Sequence, residues 1–218
     1  MTNLKHDARK ETPMSLFTRD EEARISKTIG DVERKTSGEI LAVVATQSDG
    51  YLYVPFLVAS LVALLVPWPF IYLTWHPVQW IYLIQLAVFG VIVALLLPGN
   101  ARLWFVPDSV KKMHAHRRAV EQFLVQDLHT ATGRTGVLIF VSLAEHYAEI
   151  IADKGIHAKV PEGTWQAIVD QLTSDLANND AANGFVTAIE ACGKHLTHHF
   201  PPGSGNANEF PNHLIVLR

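Results

Sequence analysis

The sequence predicts a small α/β fold in which a mixed sheet flanked by helices is interrupted by a two-helix transmembrane hairpin. Short, continuously apolar runs at Glu39–Thr46 and Val137–Leu143 are typical of strands buried on both faces, and helical patterns precede and follow them. The residues from Gly50 to Ala101 include no Asp, Glu, Lys or Arg. That stretch has room for two helices of about 20 residues, the length that crosses a bilayer.

The composition excludes several classes of protein. The net charge of −3 provides no basic field for binding nucleic acid, and a single cysteine, Cys192, excludes an internal disulfide. A pair of buried helices in a soluble protein is the alternative interpretation of the apolar stretch. Buried helices of soluble proteins seldom extend this far without a charged edge, so we expect a membrane protein.

The predicted organisation has five parts. A disordered tail covers residues 1–16, and residues 17–50 form the first part of the α/β domain. The transmembrane hairpin covers residues 51–98, with spans at about 53–73 and 78–97. Residues 99–200 complete the α/β domain, and a tail at 201–218 contains a candidate edge strand at Leu214–Leu217.

The segment before the hairpin begins with a helix over Thr18–Ser37. Thr18 and Glu21 have the spacing of a capping box, and Ile25, Ile29 and Val32 form one apolar stripe. Gly38 suits the position just beyond the helix end. The strand Glu39–Thr46 follows and leads into the membrane segment.

Within the hairpin, Pro67 and Pro69 are expected to kink the first span or end it early. The connection near Thr74–Pro77 is too short for a domain, so both flanks of the hairpin lie on one side of the bilayer. The flank after the hairpin is basic and the connection is not, so the positive-inside rule predicts cytoplasmic termini. The basic residues are Arg102, Lys111, Lys112, Arg117 and Arg118.

After the hairpin, Asp108 or Ser109 begins a helix that runs to about Thr130. Its predicted apolar face consists of Val110, Met113, Val120, Leu124 and Leu128. The basic residues of this helix either contact anionic lipid headgroups or form a solvated face that only sets topology. Strands at Val137–Leu143 and Tyr147–Ala152 then form a hairpin, followed by helices at Thr164–Leu176 and Gly184–Phe200.

Three groups of residues are candidates for chemistry. Asp49 ends the first strand, and Glu149 and Asp153 lie at even spacing on the third, near Glu145 and His146. Carboxylates of this kind suit a hard divalent cation such as calcium, or acid and base roles, and a solvated hairpin or turn explains them equally well. Cys192, His195 and His199 have helical spacing for a soft metal, but Cys192 also continues an apolar stripe.

Several segments resemble the TPM domain family. They are Thr36–Ile40, Arg134–Ser142 and Ile150–Ile156, and the resemblance extends over Phe17–Thr46 and about Ala119–Phe200. It is similar to the bacterial inner-membrane branch, here with an inserted transmembrane hairpin. The resemblance implies a mixed sheet between helices. It also implies either a module that modulates or assembles membrane proteins, or an acid phosphatase, since members of both kinds are described.

Two functions therefore stay open. The first is an interaction, assembly or regulatory module at the inner-membrane surface, whose partners are the lipid bilayer and another membrane protein. The second is a metal-dependent phosphatase. No phosphate-binding loop of the Gly-x-x-x-x-Gly-Lys-Ser/Thr type, no Cys-x5-Arg loop and no Asp-x-Asp pair occurs in the sequence. We therefore favour the first function, with a divalent cation at Asp49, Glu149 and Asp153 as a candidate ligand.

Overall fold

The structure is a computed structural model that describes residues 17–73, 77–98, 101–128, 135–202 and 212–217. The predicted disordered tail at 1–16 lies outside the described residues. So do the hairpin tip at 74–76, residues 99–100, the turn at 129–134, most of the C-terminal tail, and Arg218.

In the part of the chain that the structure describes, a four-stranded mixed sheet forms the centre of the α/β domain, and its strand order is β3-β2-β1-β4. The strands are β1 (Glu39–Ala45), β2 (Gly136–Ser142), β3 (Tyr147–Ala152) and β4 (Ile215–Leu217). β1 pairs in parallel with β2 and β4, and β3 pairs antiparallel with β2. The mixed sheet predicted from sequence is confirmed, and its two central strands come from opposite sides of the apolar stretch.

Helices cover both faces of this sheet. On one face lie α1 (Arg19–Glu33), α7 (Thr164–Ala177) and α8 (Ala181–His199), packed over the apolar side chains of that face. On the other face lies α5 (Asp108–Val125). Every residue of β1 and β2 is buried, as expected for strands covered on both sides. The short helix α6 (Lys154–His157), which sequence patterns did not predict, follows β3.

The capping box at the start of α1 is present as predicted. The Thr18 backbone N–H donates to the Glu21 carboxylate at 2.7 Å, and the Glu21 N–H donates to Thr18 Oγ1 at 3.3 Å. Ile25 and Ile29 are fully buried against the sheet, as their stripe predicts. These local signals place α1 on the sheet that β1 shares with β2.

The apolar stretch forms a helical hairpin. Its first arm is α2 (Tyr53–Leu65) followed by α3 (Pro67–Leu73), and its second arm is α4 (Val78–Leu96), which packs against α2. The helix is interrupted at Val66, directly before Pro67, in agreement with the predicted effect of the prolines. Both arms are long and apolar enough to cross a membrane, which suggests membrane association. No residue of α4 is buried.

The predicted apolar face of α5 is only partly correct: Leu128, just beyond the helix end, is fully buried and Val110 is partly buried, but Met113, Val120 and Leu124 are exposed. Met113 is 59% exposed and Leu124 is 51% exposed, whereas Ala115, Ala119 and Gln122 face the sheet. The sheet already supplies large side chains on this face, among them Phe140 and Leu138, so close packing leaves room for small residues on the helix. The stripe of large apolar residues therefore identified only its two end residues as buried or partly buried. The helix also ends at Val125, before the predicted Thr130.

A buried carboxyl group closes the amino-terminal end of the sheet. Glu33, the last residue of α1, is 7% exposed, and its Oε1 accepts the Ile40 N–H at 3.0 Å. Burial raises the pKa of Glu33 to about 8, and the neighbouring carboxylate of Glu39 adds to this rise. At neutral pH, Glu33 therefore binds a proton in the folded protein that it would release on unfolding.

This proton makes stability depend on pH. The folded-state pKa of Glu33 is above its ordinary value of 4.5, so its stabilising contribution is complete below pH 4.5 and is lost as pH rises to about 8. We expect the Glu33→Gln variant to lose less stability than wild type between pH 5 and 8. Thermal unfolding in detergent measures this, at about 2–4 °C per kcal/mol for a chain of this size. Glu190→Gln, at an exposed site on α8, is the control, and equal pH slopes for Glu33→Gln and wild type would contradict the prediction.

Candidate functional site

Polar side chains gather where the parallel strands β1 and β2 end. Ser48 and Asp49 follow β1, while Ser142 ends β2 and Glu145 lies in the turn after it. Because β1 and β2 are parallel and in register, their carboxyl ends meet at one edge of the sheet. That edge is where ligands bind in α/β sheets. It is also where the chain leaves the domain for the hairpin.

Glu145 is the centre of this cluster. It is 6% exposed, and its carboxylate accepts hydrogen bonds from the Ser48 N–H at 3.0 Å, the Tyr51 hydroxyl at 3.1 Å and the Ser142 hydroxyl at 2.5 Å. The Ser48 hydroxyl donates in turn to Ser142 Oγ at 2.7 Å. One buried carboxylate thus joins the segment before the hairpin to the turn between β2 and β3.

Tyr51 connects this cluster to the hairpin. It is fully buried, has a left-handed backbone with φ of 45°, and its ring lies edge-on to His114 of α5, with 5.4 Å between ring centroids. Burial and the nearby Glu145 carboxylate raise the pKa of the Tyr51 hydroxyl, so this group stays a hydrogen-bond donor at physiological pH. The strained backbone is held by the contacts of the side chain.

Two histidine–carboxylate pairs join α5 to the sheet. Asp49 Oδ2 lies 2.7 Å from His114 Nδ1, and Glu149 Oε2 on β3 lies 2.9 Å from His116 Nδ1. The two histidines flank Ala115, which faces the sheet, so they reach to opposite sides of the helix. The Tyr147 hydroxyl also donates to Glu149 at 3.0 Å, and burial and that carboxylate raise its pKa.

The three carboxylates that the sequence nominated for a metal have different partners. Asp49 pairs with His114 and Glu149 with His116, while Asp153 caps α6 by accepting the Lys154 N–H at 2.5 Å. Asp153 is four positions beyond Glu149 along the extended chain, which separates the two residues by about 13 Å. Among the described residues, no group of three or more His, Cys, Asp or Glu side chains is placed to hold one metal ion. His146 takes a left-handed conformation in the turn before β3.

The third candidate group, on α8, is dispersed as well. Cys192 is fully buried in the core, and burial raises the pKa of its thiol to about 12, which disfavours the thiolate that a metal requires. His195 lies against Trp165 of α7, and His199 lies against His198. Cys192 is therefore a residue of the hydrophobic core.

Sequence reasoning missed most of the cluster around Glu145. Ser48, Ser142, His114 and His116 were not nominated, and Glu145 was considered only with its neighbours on the third strand. The available signal was the parallel pairing of the two apolar strands. Polar residues placed after each of two adjacent parallel strands meet at one edge.

The hairpin is joined to the domain through a small apolar cluster beside Glu145. Tyr51 and Val54 pack against Leu103 and Val106, which belong to the 3-10 turn Ala101–Phe105 and the residue after it. Val58, Val110 and Ala144 pack around these buried residues. Both ends of the hairpin are therefore held together at the edge of the sheet.

The domain belongs to the α/β class. Its mixed sheet is covered by helices on both faces, and polar residues lie at the carboxyl ends of the parallel strands. The TPM domain model matches residues 102–195, so the chain contains a TPM domain. The match begins after the hairpin, and β1, which precedes the hairpin, completes the same sheet.

Among solved structures, the NMR structure of the BA42 protein from the psychrophilic bacterium Bizionia argentinensis is similar. The TM-score is 0.60 and the sequence identity is 19%, over 94% of this chain and 98% of that one. This likeness concerns the fold. No curated protein matches the chain.

Proposed function

We propose that the protein is an integral membrane protein whose TPM domain serves as an interaction, assembly or regulatory module at the bilayer surface. The exposed apolar surface of the hairpin supports this, because a soluble protein rarely presents so large a contiguous apolar patch to water. Its most exposed members include Leu64, Tyr72, Leu86 and Leu95, which are 67–77% exposed.

The observation that carries the proposal is the junction between hairpin and domain. Tyr51 belongs at once to the apolar cluster with Leu103 and Val106 and to the hydrogen-bonded cluster around Glu145. A flexible tether would leave the domain free to rotate, whereas this junction fixes its orientation to the hairpin. An orientation fixed against the bilayer suits a module that meets other membrane proteins.

Mild solubilisation of native membranes tests the interaction role. We expect the chain to migrate on native gels in an assembly that contains other membrane proteins and is larger than its own 24.2 kDa. Migration of the chain by itself would contradict the interaction role and leave the anchoring untouched.

We further propose that the hairpin crosses the bacterial inner membrane with both termini in the cytoplasm. The basic residues from Arg102 to Arg118 support this orientation, because the connection between the two spans carries none. A reporter fused after Arg218 is expected to be cytoplasmic, and one inserted at His76 periplasmic. Alkaline phosphatase, which needs an oxidising compartment, should be active only at His76. Activity of the C-terminal fusion would overturn the orientation.

Divalent-cation binding, and the metal-dependent phosphatase that it would serve, stay predictions. Calcium titration of the purified chain tests them, with Glu149→Gln and Asp153→Asn as variants. Thermal stabilisation by calcium in wild type that both variants lose would support one shared ion. Equal stabilisation in all three proteins would contradict a site formed by Asp49, Glu149 and Asp153.

A further inference from the structure

Among the described residues, no strand pairs with the outer edge of β3, and this open edge forms the floor of a groove. β3 is an outer strand of the sheet, and the residues at Tyr147–Ile150 line a cavity of about 560 Å³. Ala148 and Ile150 face the α7 side of the sheet, whereas Glu149 pairs with His116 of α5 on the other side. Residues on opposite faces of a sheet can line one cavity only where that cavity wraps around an open strand edge. The groove therefore runs along the edge of β3.

The backbone of β3 has hydrogen-bonding groups free at this edge. The Asp153 N–H donates to the Gly136 carbonyl at 3.0 Å, which makes Asp153 and Gly136 a hydrogen-bonded antiparallel pair. The alternation of antiparallel pairs then directs the N–H and C=O groups of Ala148, Ile150 and Ala152 away from β2. Within the part of the chain that the structure describes, no backbone partner is found for these groups.

The walls of the groove differ in chemistry. On the α7 side, Trp165 and Val169 are partly buried and present apolar surface. The exposed Gln166, Asp170 and Thr173 line the same wall, and the Gln166 amide donates to the Asp170 carboxylate at 2.8 Å. On the α5 side, Lys112 is exposed, and none of the described carboxylates forms an ion pair with it, since the nearby lining residue Glu149 pairs with His116. An acidic group is therefore the complementary partner on that side.

We propose that this groove binds an extended polypeptide segment of a partner protein, which adds to the sheet as a strand beside β3. A strand offers alternating N–H and C=O groups that match those of Ala148, Ile150 and Ala152. Its side chains point alternately to the two walls. The segment that fits best has apolar residues toward Trp165 and Val169 and an acidic residue toward Lys112.

A single strand suits the groove better than the edge of a second copy. α5 and α7 flank β3 on the two faces of the sheet, and a second copy would bring the same two helices to the same edge. A lone extended chain needs only the width of one strand, about 4.8 Å. The proposal rests on the proposed function as an interaction module and names the surface and the partner chemistry.

The test uses the purified full chain in detergent and a random ten-residue phage-displayed library. The probe is the selected peptide, synthesised with a fluorophore. We expect Ala148→Pro to weaken binding of this peptide at least tenfold, because proline lacks the N–H that would donate to the peptide. Folding should tolerate the change, because this N–H points away from β2 and proline occurs on edge strands. Thr173→Trp, which fills the groove from the helix, should weaken binding similarly. Ser174→Trp, exposed on the same helix and outside the lining, is the matched control.

Two further measurements decide the binding mode. N-methylation of peptide residues whose N–H groups point toward β3 should abolish binding, and N-methylation of the residues between them should leave binding unchanged. Amide exchange of Ala148, Ile150 and Ala152 should slow when the peptide binds. Failure to select a peptide, or equal binding by wild type and Thr173→Trp, overturns the proposal. A change of oligomeric state in Ala148→Pro without peptide also overturns it, since a second copy would then be the occupant.

This experiment is independent of the one that tests the proposed function. Peptide binding is measured without a bilayer and without a native complex. If the chain migrates by itself on native gels and the groove binds peptide, the proposed interaction module is refuted and the peptide-binding groove is supported. If the chain migrates in a native assembly but its groove binds no peptide, the peptide-binding groove is refuted and the interaction module is supported.

Discussion

Replacing residues 59–100 by a flexible Gly/Ser linker is expected to convert the protein into a soluble, folded monomer. The replacement removes most of the exposed apolar surface of the hairpin but keeps Tyr51, Val54, Leu103 and Val106, which close the edge of the sheet. The linker costs little, because loop-closure free energy rises by only about 0.6 kcal/mol for each doubling of loop length. An excision beginning at Tyr51 would instead remove a buried residue of the domain.

Light scattering and amide exchange without detergent measure this outcome. We expect a monodisperse monomer whose β2 amides are strongly protected. Deleting residues 1–50 is the contrasting change, because β1 pairs with β2 from Glu39–Gly136 to Ala45–Ser142, and its loss leaves buried backbone groups of β2 unpaired. That deletion should cause aggregation. Equal protection of β2 with and without the first fifty residues would contradict a shared, interdependent sheet.

Glu145→Ala is expected to be the most destabilising single substitution in the polar cluster. The change leaves the Tyr51 hydroxyl, the Ser142 hydroxyl and the Ser48 N–H without their acceptor. A buried donor without a partner costs about 1–3 kcal/mol, so the loss should reach at least about 3 kcal/mol. Thermal unfolding of the full chain in detergent, followed by tryptophan fluorescence, measures the change.

The control for this substitution is Glu149→Ala. Glu149 pairs with His116, whose side chain is 55% exposed, and it accepts the Tyr147 hydroxyl, so its truncation leaves one side-chain donor without its acceptor where truncation of Glu145 leaves three donors. Tyr51→Phe should lie between the two variants, because it removes one hydrogen bond and keeps the aromatic packing. If Glu145→Ala unfolds at the same temperature as Glu149→Ala, Glu145 does not hold the junction.

Local patterns predicted most of the fold correctly. The capping box at Thr18, the interruption before Pro67 and the buried strands β1 and β2 depend on neighbouring residues or on continuous apolar runs, which the sequence displays directly. The boundaries of α7 and α8 agree within about three residues, which is normal for pattern reasoning. The buried face of α5 was not predictable in this way, because the helix buries Ala115, Ala119 and Gln122 while a second stripe of large apolar residues is mostly exposed.

The candidate site was less predictable than the fold. Asp49 and Glu149 were nominated as partners of one ion, yet each pairs with a different histidine of α5. Which histidine reaches which carboxylate depends on the rotation of α5 over the sheet. That rotation is set by the packing of Ala119 and Phe123 against the cluster that contains Leu138 and Phe140.

The sequence by itself determined the classes of segment in this protein: a charge-free hairpin, two fully buried strands and amphipathic helices around them. These follow from the solvent preference and periodicity of consecutive residues. Only the tertiary structure decided that Glu145 joins the turn after β2 to the start of the hairpin, and that no other described strand pairs with the outer edge of β3. Both depend on contacts between residues about a hundred positions apart, or on which strand has no neighbour, and hydrophobic periodicity carries neither kind of information.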